Sequence, residues 1–484
     1  MGNKEQNKNK ELRIIGLIFP KKTMLFILLV LLLSLLLLTL SGCVNNSDPT
    51  IKKRTGIEET QQQPEHKVNW IGHWFTEHDR ETLVREVKSD FEMMNPDIEA
   101  NLKFPSQIMG FRSKPEEAKL IADMIRTGNI EWDVVWIDTM IYQYVAEKLN
   151  DSQWGEKYLV NFEDVPSFKE TQKSFIINDP IYKKQTGDII VGPYIEGTYY
   201  LIGYNQDVAK KMGIEIKQYG MTFDDLLSYV KQVYEYNQEH NTNVAAFYES
   251  KDRTTLEMLF QSLVKSELKD FDIAKKEIGS EEKNAAVLKT FQAFEEMGKY
   301  NPLIDSYKEN IWFQTRHLVL NDECLFYVCG TWGYSHWMGI DERKIKKMVP
   351  AELPVFNKVN YYLGTFVPTW AVMKDSPNKE EAIKLLMFWS RPPVAEKWVR
   401  YAKAPTGLVG QISIPGTADD QFDQFLAKIT DKHGSNVHYS ANAGYILGEE
   451  NRLLQKDINE KLIQLLTGEI TAQQAYDDIM AKVK

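Results

Sequence analysis

The residues in this chain best suited to covalent chemistry are its cysteines, three in 484 positions. Cys43 ends the tetrapeptide Leu40-Ser41-Gly42-Cys43, which closes an apolar run that starts at Met24 and follows Lys21-Lys22. A basic start, an apolar core and small residues before a cut site make a secretory leader. The four closing residues also fit a lipobox, the bacterial lipoprotein pattern in which a small-residue turn presents a cysteine for acylation. More than one acyl chain on that cysteine, at about 0.8 kcal/mol per buried methylene, gives stable anchoring. An uncleaved spanning helix is the competing reading, since a run of about 17–20 apolar residues can span a bilayer, but it gives no reason for Leu-Ser-Gly-Cys at the outer end. Cys324 and Cys329 lie on one expected strand, where five residues hold their α-carbons about 16 Å apart, too far for a disulfide. They read as buried thiols behaving as small hydrophobes. The chain shows no Cys-x-x-Cys or His-x-x-x-His spacing, no Gly-x-Ser-x-Gly and no phosphate-cradling glycine loop. No catalytic residue, metal or cofactor is therefore expected.

If the leader is removed, the chain begins at Cys43 on the outer face of a bacterial cytoplasmic membrane or another membrane facing the periplasm. The segment from Val44 to Pro64 is polar and nearly free of apolar residues, which suits a flexible tether. About 420 residues follow, enough for two or more domains. Residues 1–42 carry six basic and two acidic residues, so the remainder has 52 basic and 66 acidic, a net charge of −14. An acidic surface without a basic cluster argues against nucleic acid as a partner.

The elements that must position any site come next. The run His66–Trp74 reads as a strand, and Leu83, Val84, Val87, Phe91 and Met94 recur at helical spacing over Glu81–Met94 before Asn95-Pro96 stops them. Ile98–Phe104 alternates as a strand, Glu116–Arg126 forms a helix, and Trp132–Asp138 reads as a strand buried on both faces. This strand–helix alternation is the grammar of a largely parallel sheet covered by helices. Ligands in such sheets sit beyond the carboxyl ends of strands, and Trp74 and Asp138 fall at two of those ends. The stretches Gly187–Thr198 and Tyr199–Asn205 read either as two strands of one sheet or as a crossing between lobes. Helices are expected at Phe223–Gln238, Leu256–Ser266, Ala285–Tyr300, Glu380–Ser390 and along Gly448–Lys484, with strands at Cys324–Gly330 and Val359–Lys374.

Several blocks, collinear behind the lipobox, resemble the extracellular solute-binding proteins of bacterial ABC importers, the group that includes maltose-binding protein. They are Phe91-Glu92-Met93-Met94-Asn95-Pro96-Asp97-Ile98, the strand Asp133–Asp138 after Gly128, and Gly192-Pro193-Tyr194 with Tyr204-Asn205-Gln206-Asp207 and Gly213-Ile214. Met221–Leu226, Gly330-Thr331-Trp332 and Pro377–Ala382 complete the series. The resemblance implies an α/β fold of two lobes, each a mostly parallel sheet with flanking helices. Residues 66–193 plus 365–403 would make lobe one and residues 197–361 plus 408–484 lobe two, after a leader over 1–42 and a tether over 43–65. Crossing strands would lie near Gly192–Thr198, Tyr361–Pro368 and Lys403.

It further implies reversible capture of a sugar or oligosaccharide in the interlobe cleft and delivery to an ABC permease, with no chemistry on the ligand. The protein would be a monomer held on the outer membrane face by lipid on Cys43. Sugars present apolar CH faces and dense hydroxyls, which aromatic platforms with amides and carboxylates suit; the chain has 11 Trp, 23 Tyr and 22 Phe. By resemblance the ligand would meet Trp74, His78 and Asp79 after the first strand, and Asp138 after the Trp132 strand. Tyr194 and Glu196 at the hinge, Tyr248 and Glu249 on a loop, Trp332 from lobe two and Trp370 beside the second crossing complete the set. Two other functions stay open: a surface glycoside hydrolase using Asp138 and Glu196, and a lipoprotein sensor or adhesin. A polyamine, glycerol phosphate or peptide also stays open as the ligand.

Overall fold

Apolar residues at strand and helix spacing gather into two sheets, each with its own helices. A computed structural model describes residues 64–482, apart from 76, 110–113, 185, 252–253, 269–280, 411–419, 434–436 and 440–451. The expected leader, Cys43 and all but the last two residues of the tether lie outside the described residues. Among those described, no helix is long and apolar enough to cross a membrane.

The first sheet begins with β1 (His66–Ile71), followed by α1 (His78–Met94), β2 (Ile98–Lys103), α2 (Lys114–Thr127), β3 (Val134–Trp136) and α3 (Thr139–Leu149). β1 pairs in parallel with β2 and with β3, as the strand–helix alternation requires. Leu83, Val84, Val87 and Phe91 of α1 are essentially unexposed, and each contributes roughly 1.5–3 kcal/mol by leaving water.

The chain then enters the second sheet through β4 (Glu196–Asn205), a single ten-residue strand where the sequence left two strands or a crossing open. After it come α4 (Gln206–Met212), α5 (Phe223–His240), β5 (Ala245–Phe247), α6 (Glu257–Glu267), α7 (Glu281–Gly298), β6 (Cys324–Gly330), α8 (Gly333–Ile340), β7 (Met348–Glu352) and β8 (Tyr362–Val367). This sheet is mixed rather than mostly parallel. β4 runs antiparallel to β6, β7 and β8, while β5 pairs in parallel with β6. Cys324 and Cys329 are buried on β6 with no disulfide between them.

The return to the first sheet takes two residues, Pro368-Thr369, before β9 (Trp370–Val372) pairs antiparallel with β3. The helix α9 (Lys379–Trp389) ends just before Arg391-Pro392-Pro393, but the chain does not turn irregular there. Those prolines open α10 (Pro392–Ala402) instead, because proline lacks only an N–H that the first helical turn leaves unbonded anyway. Helix α11 (Gln421–His433), β10 (Val437–Tyr439), α12 (Arg452–Leu466) and α13 (Ala472–Met480) complete the chain, with β10 beside β8 and the last two helices against α7.

Several of the sequence blocks are helix punctuation. Thr222 and Asp225 form a reciprocal capping box on α5. Asn205 accepts N–H bonds from Asp207 and Val208 at the start of α4, and Gly213 closes that helix at φ 70°, a left-handed conformation glycine adopts without strain. The Asp133 carboxylate gathers the Ser376 hydroxyl, the Asn378 amide and the Asn69 N–H, joining β1, β3 and the start of α9.

Candidate functional site

The chain leaving β1 turns at Gly72-His73-Trp74 and enters α1. Trp74 sits at φ 65°, in the left-handed region, a conformation that costs on the order of 1–3 kcal/mol in a side-chain-bearing residue and persists only where packing holds it. The ring is fixed by Trp370 at 5.4 Å and Trp398 at 5.0 Å. His73 stacks on Trp136 at 4.0 Å and 20°. One turn on, the Arg80 guanidinium lies 5.1 Å from the Trp398 ring, 3.4 Å from Glu77 and 3.6 Å from Glu196. Its Nε and Nη2 are buried with no acceptor among the described residues, as is the Trp74 indole N–H.

Glu196, first residue of β4, joins this group: its second oxygen lies 3.8 Å from His73 Nε2. Burial pushes its carboxyl above the ordinary carboxylate value, while Arg80 pulls it down. Asp138 caps α3 through the Ile141 N–H and pairs with Lys114, whose ammonium stands 5.7 Å from the Trp136 ring. His73, Glu77, Arg80, Lys114, Asp138 and Glu196 make one wall.

The second wall grows from the end of β6. Gly330 leaves no room for a Cβ, which would lie 2.6 Å from Trp332 Nε1 and 2.8 Å from the Thr198 hydroxyl. The hydroxyls of Thr198 and Thr331 are 3.1 Å apart. This close strand end sets Trp332 at the start of α8, at 6.0 Å from Trp312 and 5.0 Å from His336. Arg316 lies 5.1 Å from the Trp312 ring and 2.6 Å from His336 Nδ1.

The walls meet where His336 Nε2 comes within 3.4 Å of Glu77. Tyr334, also on α8, has its phenol pushed up by burial, with Asp420 and then Asp79 of α1 adding to the effect.

Of the residues proposed from sequence, Asp138, Glu196 and Trp332 lie on these walls, and Asp79 is close enough to act on Tyr334. Trp74 is the floor of the first wall, 1% exposed. Four others are placed elsewhere. Trp370 is a core residue of β9 whose indole donates to the Ile71 carbonyl at 2.9 Å. Tyr194 is buried, its hydroxyl donating to Tyr182 O. Tyr248 is buried with its hydroxyl 2.9 Å from that of Thr315. Glu249 turns inward to accept the N–H groups of Ser250, Thr255 and Leu256 at the start of α6; burial pushes it up to about 8 against those bonds. These four are structural in this geometry. His78 begins α1, and its side chain lies outside the described residues.

Sequence reasoning passed over His73, Glu77, Arg80, Lys114, Trp312, Arg316 and His336. For the first three a signal existed: they follow directly on a strand end already marked by Trp74. Among the described residues no cluster of His, Cys, Asp or Glu suits a metal ion. The groups gathered at the seam are carboxylates, which accept hydrogen bonds, and guanidinium and ammonium groups, which donate, beside the rings of Trp136, Trp312 and Trp332.

Residues 108–409 match the family model for bacterial extracellular solute-binding proteins. No curated protein matches the chain by sequence. Among solved structures, maltose-bound MalE3 of T. maritima is similar at 17% identity and TM-score 0.58, covering 86% of this chain and 99% of that one. A sugar transporter of Bacillus licheniformis in complex with stachyose is similar at 16% identity and TM-score 0.54, covering 86% and 99%. The GacH receptor of Streptomyces glaucescens, solved unliganded and with acarbose, is similar at 13% identity and TM-score 0.59, covering 87% and 98%. The two-sheet architecture is thus that of the two-lobed periplasmic binding proteins.

Proposed function

The chain belongs to the bacterial extracellular solute-binding protein family, and from that premise we propose that it captures a neutral sugar or oligosaccharide between the two walls for delivery to an ABC importer. The observation that carries this reading is the seam itself. Indoles at Trp332 and Trp312 pack on His336, which meets a belt of charges in which Arg80, Lys114 and Arg316 are balanced in number by Glu77, Asp138 and Glu196. A balanced belt favours a ligand rich in hydroxyls over one with net charge, since each hydroxyl can both donate to a carboxylate and accept from a guanidinium. The sugars held by the structurally similar proteins support the same ligand class.

On this reading Trp332 is the principal platform, Asp138 and Glu196 accept ligand hydroxyls, and Arg80 with the Trp74 indole donates. An aromatic stack contributes roughly 0.5–1.5 kcal/mol beyond area and a placed hydrogen bond about as much. A handful of each reaches micromolar affinity, about 8 kcal/mol. Lobe boundaries near Gly192–Glu196, Pro368-Thr369 and Lys403 would let the walls part and close by hinge motion. Acylation of Cys43 would hold the protein beside its permease.

The test is thermal shift and intrinsic tryptophan fluorescence against maltose, raffinose, stachyose and their relatives, because a ligand that binds only the folded state raises the melting temperature by mass action. Binding with the glycan recovered intact supports the proposal. Loss of the glycan over hours, abolished by Asp138→Asn, would replace it with a hydrolase. Mass spectrometry of the native protein decides the acylation of Cys43.

A further inference from the structure

His336 is the one described side chain of α8 that touches charged groups on both walls. Its Nδ1 lies 2.6 Å from an Arg316 Nη, and its Nε2 lies 3.4 Å from the same Glu77 oxygen that Arg80 approaches at 3.4 Å. A guanidinium can only donate, so Nδ1 must accept, and the imidazole proton resides on Nε2. That tautomer points its N–H at Glu77. The ring is held between Trp312 and Trp332, each 5.0 Å away, which leaves little freedom to turn over.

We propose that His336 is a positioning residue of the ligand cleft: neutral and held as the Nε2–H tautomer by Arg316, it donates across the seam to Glu77 and fixes the carboxylate that orients Arg80 toward the ligand. The proposal rests on the cleft being the ligand site, but its geometry is testable without any ligand. The charged groups facing the ring are Arg316 on its own side and Glu77 and Arg80 opposite. A proton added at Nδ1 would point straight at the Arg316 guanidinium, so acid should break the chain at that end. Burial accordingly pushes the imidazole down to about 4, against the pull of Glu77.

The first arm of the test is nitrogen-15 NMR of histidine-labelled protein, with His336 assigned by His336→Gln. The expected result is a bare Nδ1 and a protonated Nε2 that persist well below pH 6. The Nδ1–H tautomer, or titration at the ordinary imidazole value, overturns the proposal. The second arm measures affinity at pH 7 with raffinose and maltose as probes. His336→Gln keeps an acceptor for Arg316 and a donor for Glu77, and should stay within about threefold of the native value. His336→Phe keeps the ring volume and should lose tenfold or more. Equal affinities for His336→Phe and the native protein at matched melting temperatures overturn the positioning role. If no glycan binds the native protein, the sugar reading falls while the NMR arm still decides the tautomer and the cross-seam bond.

Discussion

Tryptophans collect in two regions of this molecule. Around β1 and β9, the rings of Trp70, Trp74, Trp370, Trp389 and Trp398 pack edge to face or tilted at 4.7–6.0 Å and leave almost no surface. At the end of β6, Trp312 and Trp332 pack on each other and on His336 at the seam, and each keeps 8–9% of its surface exposed. Residue type is identical in the two regions. What differs is the company: the first set is closed in by helices α9 and α10, the second faces charges from another part of the chain. Aromatic abundance alone therefore does not mark a site, because packing decides which rings keep any surface.

Substitutions can break this contrast. The largest effect is expected for Trp370→Ala, which opens a cavity in the first cluster and should cost about 3–5 kcal/mol of stability by urea denaturation. Any ligand affinity lost with it should return in proportion to the folded fraction. Glu249→Ala strips the acceptors from three N–H groups and should cost about 1–3 kcal/mol in the same assay. Affinity should hold, and a specific loss of glycan binding in a fully folded Glu249→Ala protein would return that residue to the cleft. Trp332→Ala should also lower stability, since its ring is 8% exposed and packed on Trp312 and His336, but glycan affinity corrected for the folded fraction should fall about tenfold, equivalent to about 1.4 kcal/mol, read by fluorescence titration or calorimetry.

Acid gives a further contrast. The imidazole of His336 is depressed in the folded protein, so as pH falls from about 6.5 toward about 4 the unfolded chain takes up the proton first and stability is lost. Melting temperatures over that window should therefore drop more in the native protein than in His336→Gln. Parallel curves would show that the seam does not sense this proton.

Local patterning was readable where short-range rules decide. Helix α1, expected over Glu81–Met94, spans His78–Met94, and α5, expected over Phe223–Gln238, spans Phe223–His240. Several of the family-like blocks proved to be caps, whose chemistry operates over three or four residues. The path of β4 was less legible, because Pro193 and Gly197 are turn formers and only the flanking β6, β7 and β8 keep residues 196–205 extended. The two-lobed family architecture was correctly anticipated, but the antiparallel setting of β4 was not, since strand direction depends on partners far along the chain.

The site divided along the same line. Trp332 and Asp138 were marked by strand ends, and Glu196 by its place at the expected crossing. Arg316, His336 and Glu77 gain their meaning only by meeting, across more than two hundred residues of sequence. Tyr194 at the hinge and Trp370 beside the second crossing were expected to meet the ligand, because nothing local says that Tyr182 and Trp389 will cover them.

The backbone of Trp74 carries a consequence for how this protein can vary. A glycine at position 74 would relax the left-handed turn but remove the ring that Trp370, Trp398 and Arg80 lean on. Any other side chain would keep the strain and lose the fit. Every single-step exchange at that position runs uphill, so drift in descendants should pass around it, through its neighbours, and leave this corner as it stands.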